Sequence, residues 1–355
     1  MNVFERLKEY DYEQLVFCQD KASGLKAIIA IHDTTLGPAL GGTRIYDYEN
    51  DGDAIIDALR LARGMTYKNA VAGLNLGGGK AVIIGDPKRI KSEALFRAFG
   101  RFVEGLNGRY ITGEDMNMTQ QDAAYVSYET SHIVGLETGS GNPSPVTAYG
   151  VFKGIEAAVN EVFGSDDLKE RSIAIQGLGS VGRRLVEILH GAGAKLYVTS
   201  RDQVKIDKAV AELGAIPVSP DEIYSVECDV FSPCAIGAVI NDRTIEKFKC
   251  KIIAGAANNQ LESSKHGDIL EEKGILYVPD YVINSGGVIN IIDDISGCEY
   301  NRENALRNTA RIYDTCKQVF NIAKEGCIPT YRAADLMALE RIVAVGKVKK
   351  IYNRQ

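Results

Sequence analysis

Apolar residues in the first part of the chain form two kinds of pattern, continuous runs and a helical period. Leu25 to His32 is almost continuously apolar, which predicts a buried strand, and Ala54 to Met65 has the helical period, with Lys68 placed just beyond that helix. A short apolar run, Ala81 to Ile84, predicts a further strand, and the helical period returns between Leu95 and Leu106. This mixture predicts an α/β domain over residues 1–134.

The second part of the chain has a more regular rhythm. Glu137 to Gly150 is rich in Gly, Ser and Pro, the composition of a domain boundary. Strand patterns such as Ser172 to Gln176 and Lys195 to Thr199 then alternate with helical patterns. Alternation of this kind predicts a doubly wound parallel sheet of the Rossmann type over residues 135–328. The remaining residues, 329–355, have the period of one apolar-faced helix.

A glycine-rich turn joins the first strand of that second domain to its first helix. It reads GLGSVG and supplies Gly177, Gly179, Ser180, Val181 and Gly182. In the dinucleotide-binding fingerprint such glycines permit a tight turn and close approach of a pyrophosphate, whose charge faces the helix N-terminus. We therefore expect a nicotinamide dinucleotide here, although an ordinary strand-to-helix turn would also use glycine.

The end of the next strand bears on the choice between NAD and NADP. NAD-binding sheets usually carry an acidic residue there for the ribose 2′-hydroxyl, whereas this chain has Ser200 followed by Arg201. A guanidinium pairs well with a phosphate, so the sequence predicts preference for NADP or tolerance of it. In the alternative interpretation Arg201 is a solvated surface residue and Asp202 takes the acidic role.

Composition excludes several classes of protein. The 355 residues carry a net charge of −6, and their longest basic run is Lys347 to Lys350, which argues against a nucleic-acid partner. Seven dispersed cysteines without a C-x-x-C pair predict reduced thiols in the cytoplasm, and no spacing indicates a metal site. The chain has neither a secretory leader pattern nor an apolar run long enough to span a membrane, so we expect no membrane association.

Three consecutive glycines precede Lys80 in the stretch LNLGGGKAVII. Glycine lets the backbone approach other groups closely, so these residues are expected to hold Lys80 in a cleft together with Lys68 and Asp115. Partial burial and a second cation would help such a lysine to act as a base near neutral pH. The alternative is a solvated lysine, with Asp115 as an ordinary turn residue.

Long segments in both halves of the chain resemble the amino acid dehydrogenases of the Glu/Leu/Phe/Val group, most of all its leucine-oxidising members. The resemblance is carried by IHDTTLGPALGGTR (Ile31 to Arg44), DALRLARGMTYKNA (Asp57 to Ala70), GLNLGGGKAVI (Gly73 to Ile83), GRYITGED (Gly108 to Asp115), IIAGAANNQL (Ile252 to Leu261) and PDYVINSGGVIN (Pro279 to Asn290). It implies a homo-oligomer that reversibly deaminates an L-amino acid to a 2-oxo acid and ammonia, in a cleft between two domains. It also implies that the helix over residues 329–355 returns to the first domain.

The resemblance also implies a role for individual residues. Lys68 would bind the substrate carboxylate, Lys80 would activate water and bind the carbonyl oxygen, and Asp115 would carry protons to and from the substrate nitrogen. The remaining contacts are backbone approach to the substrate at Gly41 and Gly42, the substrate carboxylate and nicotinamide ribose at Asn258, and the nicotinamide carboxamide at Thr147 and Asn284.

The implied side-chain pocket is apolar, with Leu40, Gly113, Val288 and Ile291 as its lining. An unpaired carboxylate in such a pocket costs several kcal/mol, which disfavours glutamate and favours leucine, valine and isoleucine. Leucine-specific members usually have alanine at the position of Gly113 and aromatic-specific members have glycine. A phenylalanine- or tryptophan-type enzyme is therefore the alternative.

Two functions from other classes compete with this interpretation. A 2-hydroxy acid dehydrogenase would need a paired histidine and carboxylate rather than two lysines. A non-catalytic NADP-binding regulator would have no need of Lys68, Lys80 and Asp115 together. Both are less favoured by the sequence.

Overall fold

The computed structural model describes residues 2–348, and the chain divides into two compact units. Unit 1 comprises Met1–Gly141, Ile291–Tyr300 and Ala338–Gln355, and unit 2 comprises Asn142–Asn290 and Asn301–Met337. Each unit is therefore built from more than one stretch of sequence. The chain enters unit 2 after Gly141, returns to unit 1 at Ile291 and returns again within the C-terminal helix.

Unit 1 contains a mixed sheet with helices on both faces. Its elements before Gly141 are α1 (Val3–Glu9), β1 (Gln14–Asp20), β2 (Leu25–Asp33), β3 (Ala39–Leu40), β4 (Thr43–Tyr46), α2 (Asp51–Val71), β5 (Gly77–Ile84), α3 (Glu93–Glu104), β6 (Tyr110–Ile111) and α4 (Gln120–Ser127). The strand order is β1-β2-β5-β3-β6, with β4 paired to β5. β2 lies between β1 and β5 and is antiparallel to both, whereas β3 and β4 run parallel to β5.

Two apolar layers hold the sheet of unit 1. On one face α2 packs its alanine-rich side, including Ala54, Ala58 and Ala62, against β2 and β5. On the other face α3 contributes Phe96 and Phe99, both fully buried. Ser92 is the N-cap of helix α3, and its hydroxyl accepts a hydrogen bond from the Leu95 amide. These layers fix the strands whose ends carry the candidate catalytic residues.

Two predicted boundaries near Lys80 are wrong. Helix α2 continues to Val71, so Lys68 lies in its last turn rather than beyond it. Strand β5 starts at Gly77, so the three glycines belong to the strand. The physical reason is one close approach, because a Cβ atom on Gly78 would lie 2.1 Å from the backbone nitrogen of Thr66 in α2. The helix therefore packs directly on the bare backbone of β5.

Unit 2 has the alternating order that the sequence predicts. The later elements are α5 (Ser144–Phe163), β7 (Ser172–Gln176), α6 (Ser180–Gly191), β8 (Lys195–Thr199), α7 (Gln203–Leu213), β9 (Ile216–Pro217), a 3₁₀ turn (Ile223–Ser225), β10 (Val230–Pro233), β11 (Ile252–Ile253), α8 (Ser264–Glu272), β12 (Leu276–Tyr277), α9 (Asp280–Ile283), α10 (Gly286–Asn290), α11 (Ile292–Ser296), α12 (Arg302–Ala310), α13 (Ile312–Gly326) and α14 (Thr330–Gly346). Of these, α11 and the end of α14 belong to unit 1. The sheet has the order β12-β11-β10-β7-β8-β9, and every pairing is parallel. The predicted two-domain α/β class with a doubly wound sheet is confirmed.

The C-terminal helix is anchored to unit 1 by Arg341. Its guanidinium donates hydrogen bonds to the carbonyls of Ala70, Gly73 and Leu74 and to the side chain of Asn75. These carbonyls end α2, where the helix leaves its last backbone acceptors without helical partners. The end of the helix predicted over residues 329–355, beyond Val348, lies outside the described residues.

Two global features of the described residues bear on the sequence expectations. Within residues 2–348, we find no helix that combines the length and apolar character needed to cross a membrane. All seven cysteines fall in that range, and each carries a free thiol.

Candidate active site

Three backbone segments of unit 1 meet where the site is expected. A Cβ atom on Gly41 would lie 1.8 Å from the carbonyl oxygen of Gly79, and one on Gly42 would lie 2.4 Å from that of Glu114. Neither position has room for a side chain, which explains the glycine pair after β3. Because Lys80 and Asp115 directly follow Gly79 and Glu114, this contact brings their side chains to one place.

Lys80 and Asp115 form a direct ion pair. The Lys80 ammonium donates to Asp115 Oδ2 at 2.5 Å. The lysine side chain is only 7% exposed, whereas the aspartate side chain is 27% exposed. An accessible carboxylate beside a buried amine is a suitable pair for proton transfer, because one group can give and the other can take a proton within hydrogen-bond reach.

A third charged residue, Arg44, belongs to the same network. Its Nε lies 3.4 Å from Asp115 Oδ2, and its Nη1 lies 2.9 Å from Asp57 Oδ2. The Tyr48 hydroxyl donates to the same Asp57 oxygen. Our site prediction from the sequence omitted Arg44. The available signal was its place in β4 between the fully buried Thr43 and Ile45, where alternation puts a guanidinium on the opposite face of the strand.

Asp115 remains ionised because two cations outweigh its burial. Removal from water by itself would raise the pKa of this carboxyl, but Lys80 and Arg44 act in the opposite direction and leave the pKa below its ordinary value. The neighbouring Glu114 behaves differently. Burial raises the pKa of Glu114 above its usual range. The two adjacent carboxyls therefore have different proton affinities.

The remaining predicted residues of unit 1 lie on the elements around this pair. Lys68 is half-buried in α2, the helix that packs on β5, and makes polar interactions within the protein. Leu40 is buried at the end of β3, where it pairs with Gly78 and Ile111. Gly113 is buried just after β6, with Val134 beside it. Ile291 immediately precedes α11 in unit 1, whereas Val288 lies on α10 in unit 2.

The glycine-rich turn of unit 2 has the geometry of a dinucleotide cradle. Gly177 has φ 104°, a conformation that favours glycine, and Gly179 forms the N-cap of α6. A Cβ atom on Gly182 would lie 2.1 Å from the carbonyl oxygen of Gly177, so the third glycine lets α6 pack closely on the turn. Gly179 and Ser180 are exposed, with Val181 half-buried behind them. A pyrophosphate can therefore approach the backbone amides at the start of α6.

Local hydrogen bonds fix the backbone of the residues that follow β8. Ser200 Oγ accepts a hydrogen bond from the amide of Asp202, and Asp202 Oδ1 accepts one from the amide of Val204. Asp202 thus acts as the N-cap of α7 and also lies 3.5 Å from the ammonium of Lys205. Arg201 is exposed, and within the described part of the chain it has no ion-pair partner.

A second group of predicted residues meets elsewhere in unit 2. The Asn284 amide donates to Asn258 Oδ1 at 2.7 Å and to the carbonyl of Ala256 at 3.0 Å. The other end of that amide, Oδ1 of Asn284, is buried and lacks a hydrogen-bond partner among the described residues. Thr147 lies against Gly286 and Gly287, which follow shortly after Asn284 in the sequence. The unsatisfied acceptor fits the carboxamide nitrogen of a nicotinamide, which must donate.

Asp242, Glu262 and His266 form a cluster with the residue types of a metal site. The Ser263 amide donates to His266 Nδ1, so the neutral ring carries its proton on Nε2, which lies 3.0 Å from Asp242 Oδ1. Lys265 also places its ammonium 2.9 Å from Asp242. The cluster is consequently a hydrogen-bonded helix start rather than a set of free ligand atoms.

Known proteins resemble this chain over almost its whole length. The family model described as Glu/Leu/Phe/Val dehydrogenase, dimerisation domain, matches residues 12–132, and that described as Glutamate/Leucine/Phenylalanine/Valine dehydrogenase matches residues 197–350. Leucine dehydrogenase of Thermoactinomyces intermedius is 58% identical over 99% of this chain and 96% of its own, and leucine dehydrogenase of Bacillus cereus is 57% identical over 100% and 97%. The crystal structure of L-tryptophan dehydrogenase from Nostoc punctiforme superimposes with a TM-score of 0.87 at 47% identity, covering 97% of this chain and 100% of that one.

These matches extend through both units and include the segments from which the resemblance was first inferred. Identity above one half over nearly the whole length, together with the glycine-rich cradle and the Lys80–Asp115 pair, confirms the predicted family. The chain therefore belongs to the Glu/Leu/Phe/Val dehydrogenase family, the NAD(P)-dependent oxidoreductases that act on amino acids.

Proposed function

We propose that this protein catalyses the reversible, NAD(P)-dependent oxidative deamination of branched-chain L-amino acids to 2-oxo acids and ammonia, with preference for NADP or tolerance of it. The observation that carries the proposal is the ion pair between the buried Lys80 ammonium and Asp115 Oδ2. A paired amine and carboxylate provide one proton acceptor for water and one for the substrate nitrogen. The identity of 57–58% to leucine dehydrogenases supports leucine and its branched relatives as substrates.

In this proposal unit 1 provides the substrate-binding groups. Lys68 binds the substrate carboxylate, and the bare backbones of Gly41 and Gly42 face the substrate. Asp115 takes a proton from the substrate ammonium, and the imine forms once the Cα hydride has also left for the dinucleotide. Lys80, in its neutral form, then deprotonates the water that attacks the imine carbon. Arg44 and Lys80 keep Asp115 ionised and ready to accept.

Unit 2 is proposed to bind the dinucleotide. Gly177, Gly179 and Gly182 with Ser180 and Val181 would receive the pyrophosphate, while Thr147, Asn258 and Asn284 would hold the nicotinamide end. The cofactor, when bound, accepts the hydride from the substrate Cα. Asn284 contributes the buried acceptor that fixes the carboxamide orientation.

The proposed side-chain pocket explains the preference for aliphatic substrates. Leu40, Gly113, Val288 and Ile291 offer no charge that could pair with a glutamate side chain. One methylene in such a pocket changes kcat/KM by roughly 10- to 200-fold, so valine, which is one methylene smaller than leucine, should still be oxidised at a kcat/KM within about this factor of that for leucine.

An aromatic substrate is the second candidate, and Gly113 is the observation that favours it. A Cβ atom there would lie 3.3 Å from the Val134 carbonyl oxygen, so glycine relieves a tight contact and leaves the pocket larger. The tryptophan dehydrogenase of Nostoc punctiforme, at 50% identity, belongs to the same family.

The preference for NADP rests on the groups after β8. Because Asp202 caps α7 and lies near Lys205, its carboxylate has structural partners already. Ser200 brings no negative charge, and the exposed Arg201 is available to a 2′-phosphate. We propose that Ser200 and Arg201 together bind that phosphate.

A substrate matrix tests the proposal directly. Purified protein is assayed with leucine, isoleucine, valine, phenylalanine, tryptophan and glutamate against NAD and NADP, following the reduced nicotinamide by absorbance. The expected result is the highest kcat/KM with a branched aliphatic amino acid and NADP. Greater activity with phenylalanine or tryptophan would select the second candidate. Reduction of a 2-oxo acid to the 2-hydroxy acid in the absence of ammonia would reject the reaction itself.

The role of Lys80 has a matched control in the same unit. Lys91 donates to Asp122 Oδ2 at 2.5 Å, the same contact in a different place. Lys80→Met should lower kcat by about 10²- to 10⁴-fold, the usual contribution of a general base, whereas Lys91→Met should keep kcat near that of the parent protein. Equal losses in the two variants would contradict the assignment.

The cofactor assignment can be tested at Arg201 with Lys205 as the control. Arg201→Gln should raise KM for NADP about tenfold or more and leave KM for NAD nearly unchanged, since only NADP has the extra phosphate. Lys205→Gln removes a nearby cation on α7 and should affect both cofactors alike. A much higher kcat/KM of the parent protein with NAD would refute the preference.

We further propose a homo-oligomer in the cytoplasm. The matching N-terminal family model is described as a dimerisation domain, and seven free thiols suit a reducing compartment. Light scattering after size exclusion should give a mass that is a multiple of the 38.6 kDa chain.

A further inference from the structure

A ten-residue excursion of the chain carries one wall of the proposed pocket. Ile291–Tyr300 belongs to unit 1, although the residues before and after it belong to unit 2. It contains α11, in which every residue is at least partly exposed, and Ile291 directly precedes that helix. Apolar burial therefore fixes this segment only weakly, and polar contacts gain importance.

One carboxylate on α11 receives three hydrogen bonds from another segment of unit 1. Asp294 Oδ2 accepts from the backbone amide of Gly135 at 3.0 Å and from the hydroxyl of Ser140 at 2.6 Å. Asp294 Oδ1 accepts from the backbone amide of Ser140 at 3.0 Å. We call this arrangement of Asp294, Gly135 and Ser140 the Asp294 clamp. Hydrogen bonds to an ionised acceptor are stronger than neutral ones, so the clamp is well suited to hold two segments in register.

The segment held by the clamp also borders the pocket. Val134, next to Gly135, donates its amide to the carbonyl of Thr112 at 3.0 Å, which extends the chain alongside β6. The Val134 carbonyl lies 3.3 Å from the position that a Cβ atom on Gly113 would occupy. The backbone that lies beside Gly113 is therefore the same stretch, Val134–Gly135, that is hydrogen-bonded to Asp294.

Gly139 shows how closely the clamp is fitted. A Cβ atom at this position would lie 2.6 Å from Asp294 Oδ1, well inside the normal contact distance. Any side chain at residue 139 would have to displace the carboxylate. The glycine is thus explained by the approach of Asp294 to the loop.

We propose that Asp294 is a positioning residue for substrate selectivity, holding Ile291 and the Val134–Gly135 backbone at a fixed separation around the side-chain pocket. Ile291 lies three residues before Asp294, a spacing that puts both on one side of a helical turn. The inference rests on the proposed function, because Gly113 and Ile291 matter for selectivity only if they line the substrate pocket.

Asp294→Asn tests the proposal with little change of shape. An asparagine has one acceptor oxygen, so its amide group must face either the Gly135 or the Ser140 amide, and two donors then oppose each other. Relaxation of this contact should loosen the pocket. The expected result is a fall of about tenfold in the ratio of kcat/KM for leucine to that for phenylalanine, with KM for the dinucleotide unchanged.

Asp229 supplies a matched control. Its Oδ2 accepts from both the amide and the hydroxyl of Ser172, so it forms a carboxylate–serine clamp of the same kind within unit 2. Asp229→Asn should lower the melting temperature by an amount similar to Asp294→Asn and leave the leucine to phenylalanine ratio within about twofold of the parent value. If Asp294→Asn behaves like this control, the clamp is merely structural and the inference is overturned.

Two milder variants keep the test informative if Asp294→Asn does not fold. Ser140→Ala removes the hydroxyl that donates to Asp294 Oδ2 and should shift the ratio in the same direction by a smaller factor than Asp294→Asn. Gly139→Ala should displace the carboxylate and shift the ratio by more than Ser140→Ala does. An unchanged ratio in both folded variants would overturn the inference while the proposed function stands. A parent protein that oxidises neither leucine nor phenylalanine would overturn the proposed function and the inference with it.

Discussion

Asp115 lies next to two cations that differ in how they can act. Lys80 must gain and lose a proton in the proposed reaction, whereas a guanidinium stays charged throughout the working pH range. Arg44, with its Nε 3.4 Å from Asp115 Oδ2, therefore supplies the constant part of the field at this carboxylate. Its own position is fixed by Asp57 and, through Asp57, by Tyr48.

Replacing Arg44 should change the pH dependence of the reaction. Arg44 lowers the pKa of Asp115, so Arg44→Gln should raise that pKa and move the acidic limb of the kcat/KM profile to higher pH. Arg60→Gln is the control, because Arg60 also lies near Asp57, at 3.5 Å, but is largely exposed. Initial rates measured from pH 5 to 10 would show the difference, and an unshifted acidic limb in Arg44→Gln would contradict this role.

The same substitution has a consequence for stability. A carboxyl whose pKa is lower in the folded state stabilises the fold above its unfolded pKa, and this contribution disappears as the pH falls through the folded pKa. Arg44→Gln weakens that effect. Denaturant titrations should therefore show a loss of stability in the variant that is present near neutral pH and smaller in acid.

Sequence patterns located Lys80 and Asp115 but did not indicate their mutual geometry. Alternation in β4 indicates only that the Arg44 side chain leaves the buried face, and it does not identify Asp57 and Asp115, which lie on other elements, as the partners of this residue. Likewise, the cationic crowding inferred for Lys80 concerned Lys68, whereas the contact seen in the structure is with the anionic Asp115. Such pairings arise from strand order and local close approach, which a one-dimensional pattern does not contain.

At the scale of elements, the contact between α2 and β5 determines where Lys80 lies. Gly78→Ala would place a Cβ atom 2.1 Å from the Thr66 nitrogen and 2.5 Å from the Ala62 carbonyl oxygen. Both obstacles are backbone atoms, so helix and strand would have to separate. Overpacking usually costs about 1–3 kcal/mol, so we expect Gly78→Ala to lower the free energy of unfolding by about 3 kcal/mol. We also expect the variant to lose most of its activity.

Gly64 offers the opposite expectation on the same helix. It is exposed in α2, and a Cβ atom there would meet nothing within 4 Å. Because alanine is favoured over glycine inside a helix, Gly64→Ala should stabilise the protein by about 0.5–1 kcal/mol. Urea unfolding of the two variants would distinguish a specific close contact at Gly78 from a general intolerance of alanine.

The C-terminal helix acts on the same region through Arg341. Arg341→Met removes hydrogen bonds to the carbonyls of Ala70, Gly73 and Leu74 and leaves these acceptors at the end of α2 with fewer partners. We expect a loss of about 1.5–3 kcal/mol in unfolding free energy, the range for hydrogen bonds to a charged group.

Arg332 on the same helix is the control for Arg341. It pairs with Asp268 but is mostly exposed, so Arg332→Met should cost less than about 1 kcal/mol. Chemical denaturation of both variants provides the comparison. Equal losses would indicate that Arg341 contributes only as a surface charge.

At the scale of the whole molecule, the fold class and the order of the secondary-structure elements could be predicted, because the period of the buried apolar residues is visible in the sequence. The sequence predicts strands over Ser172–Gln176 and Lys195–Thr199, which are the bounds that the structure shows, and these two strands pair in parallel as expected. The excursion Ile291–Tyr300 could not be predicted in this way. Its residues are partly exposed and have no period, and its position depends on distant partners such as Gly135 and Ser140.

Thiol reactivity provides a test of the burial pattern throughout the chain. Cys298 and Cys327 are exposed, whereas burial raises the pKa of the other five thiols, to about 12 for Cys18, Cys228, Cys250 and Cys316. Since the thiolate is the reactive form, a chromogenic disulfide should label two cysteines rapidly in the native protein and all seven in denaturant. Cys298→Ser and Cys327→Ser should each remove one rapid equivalent. More than two rapid equivalents would mean that at least one of the five buried thiols is accessible in the folded protein. Fewer than two would place Cys298 or Cys327 in a contact between subunits.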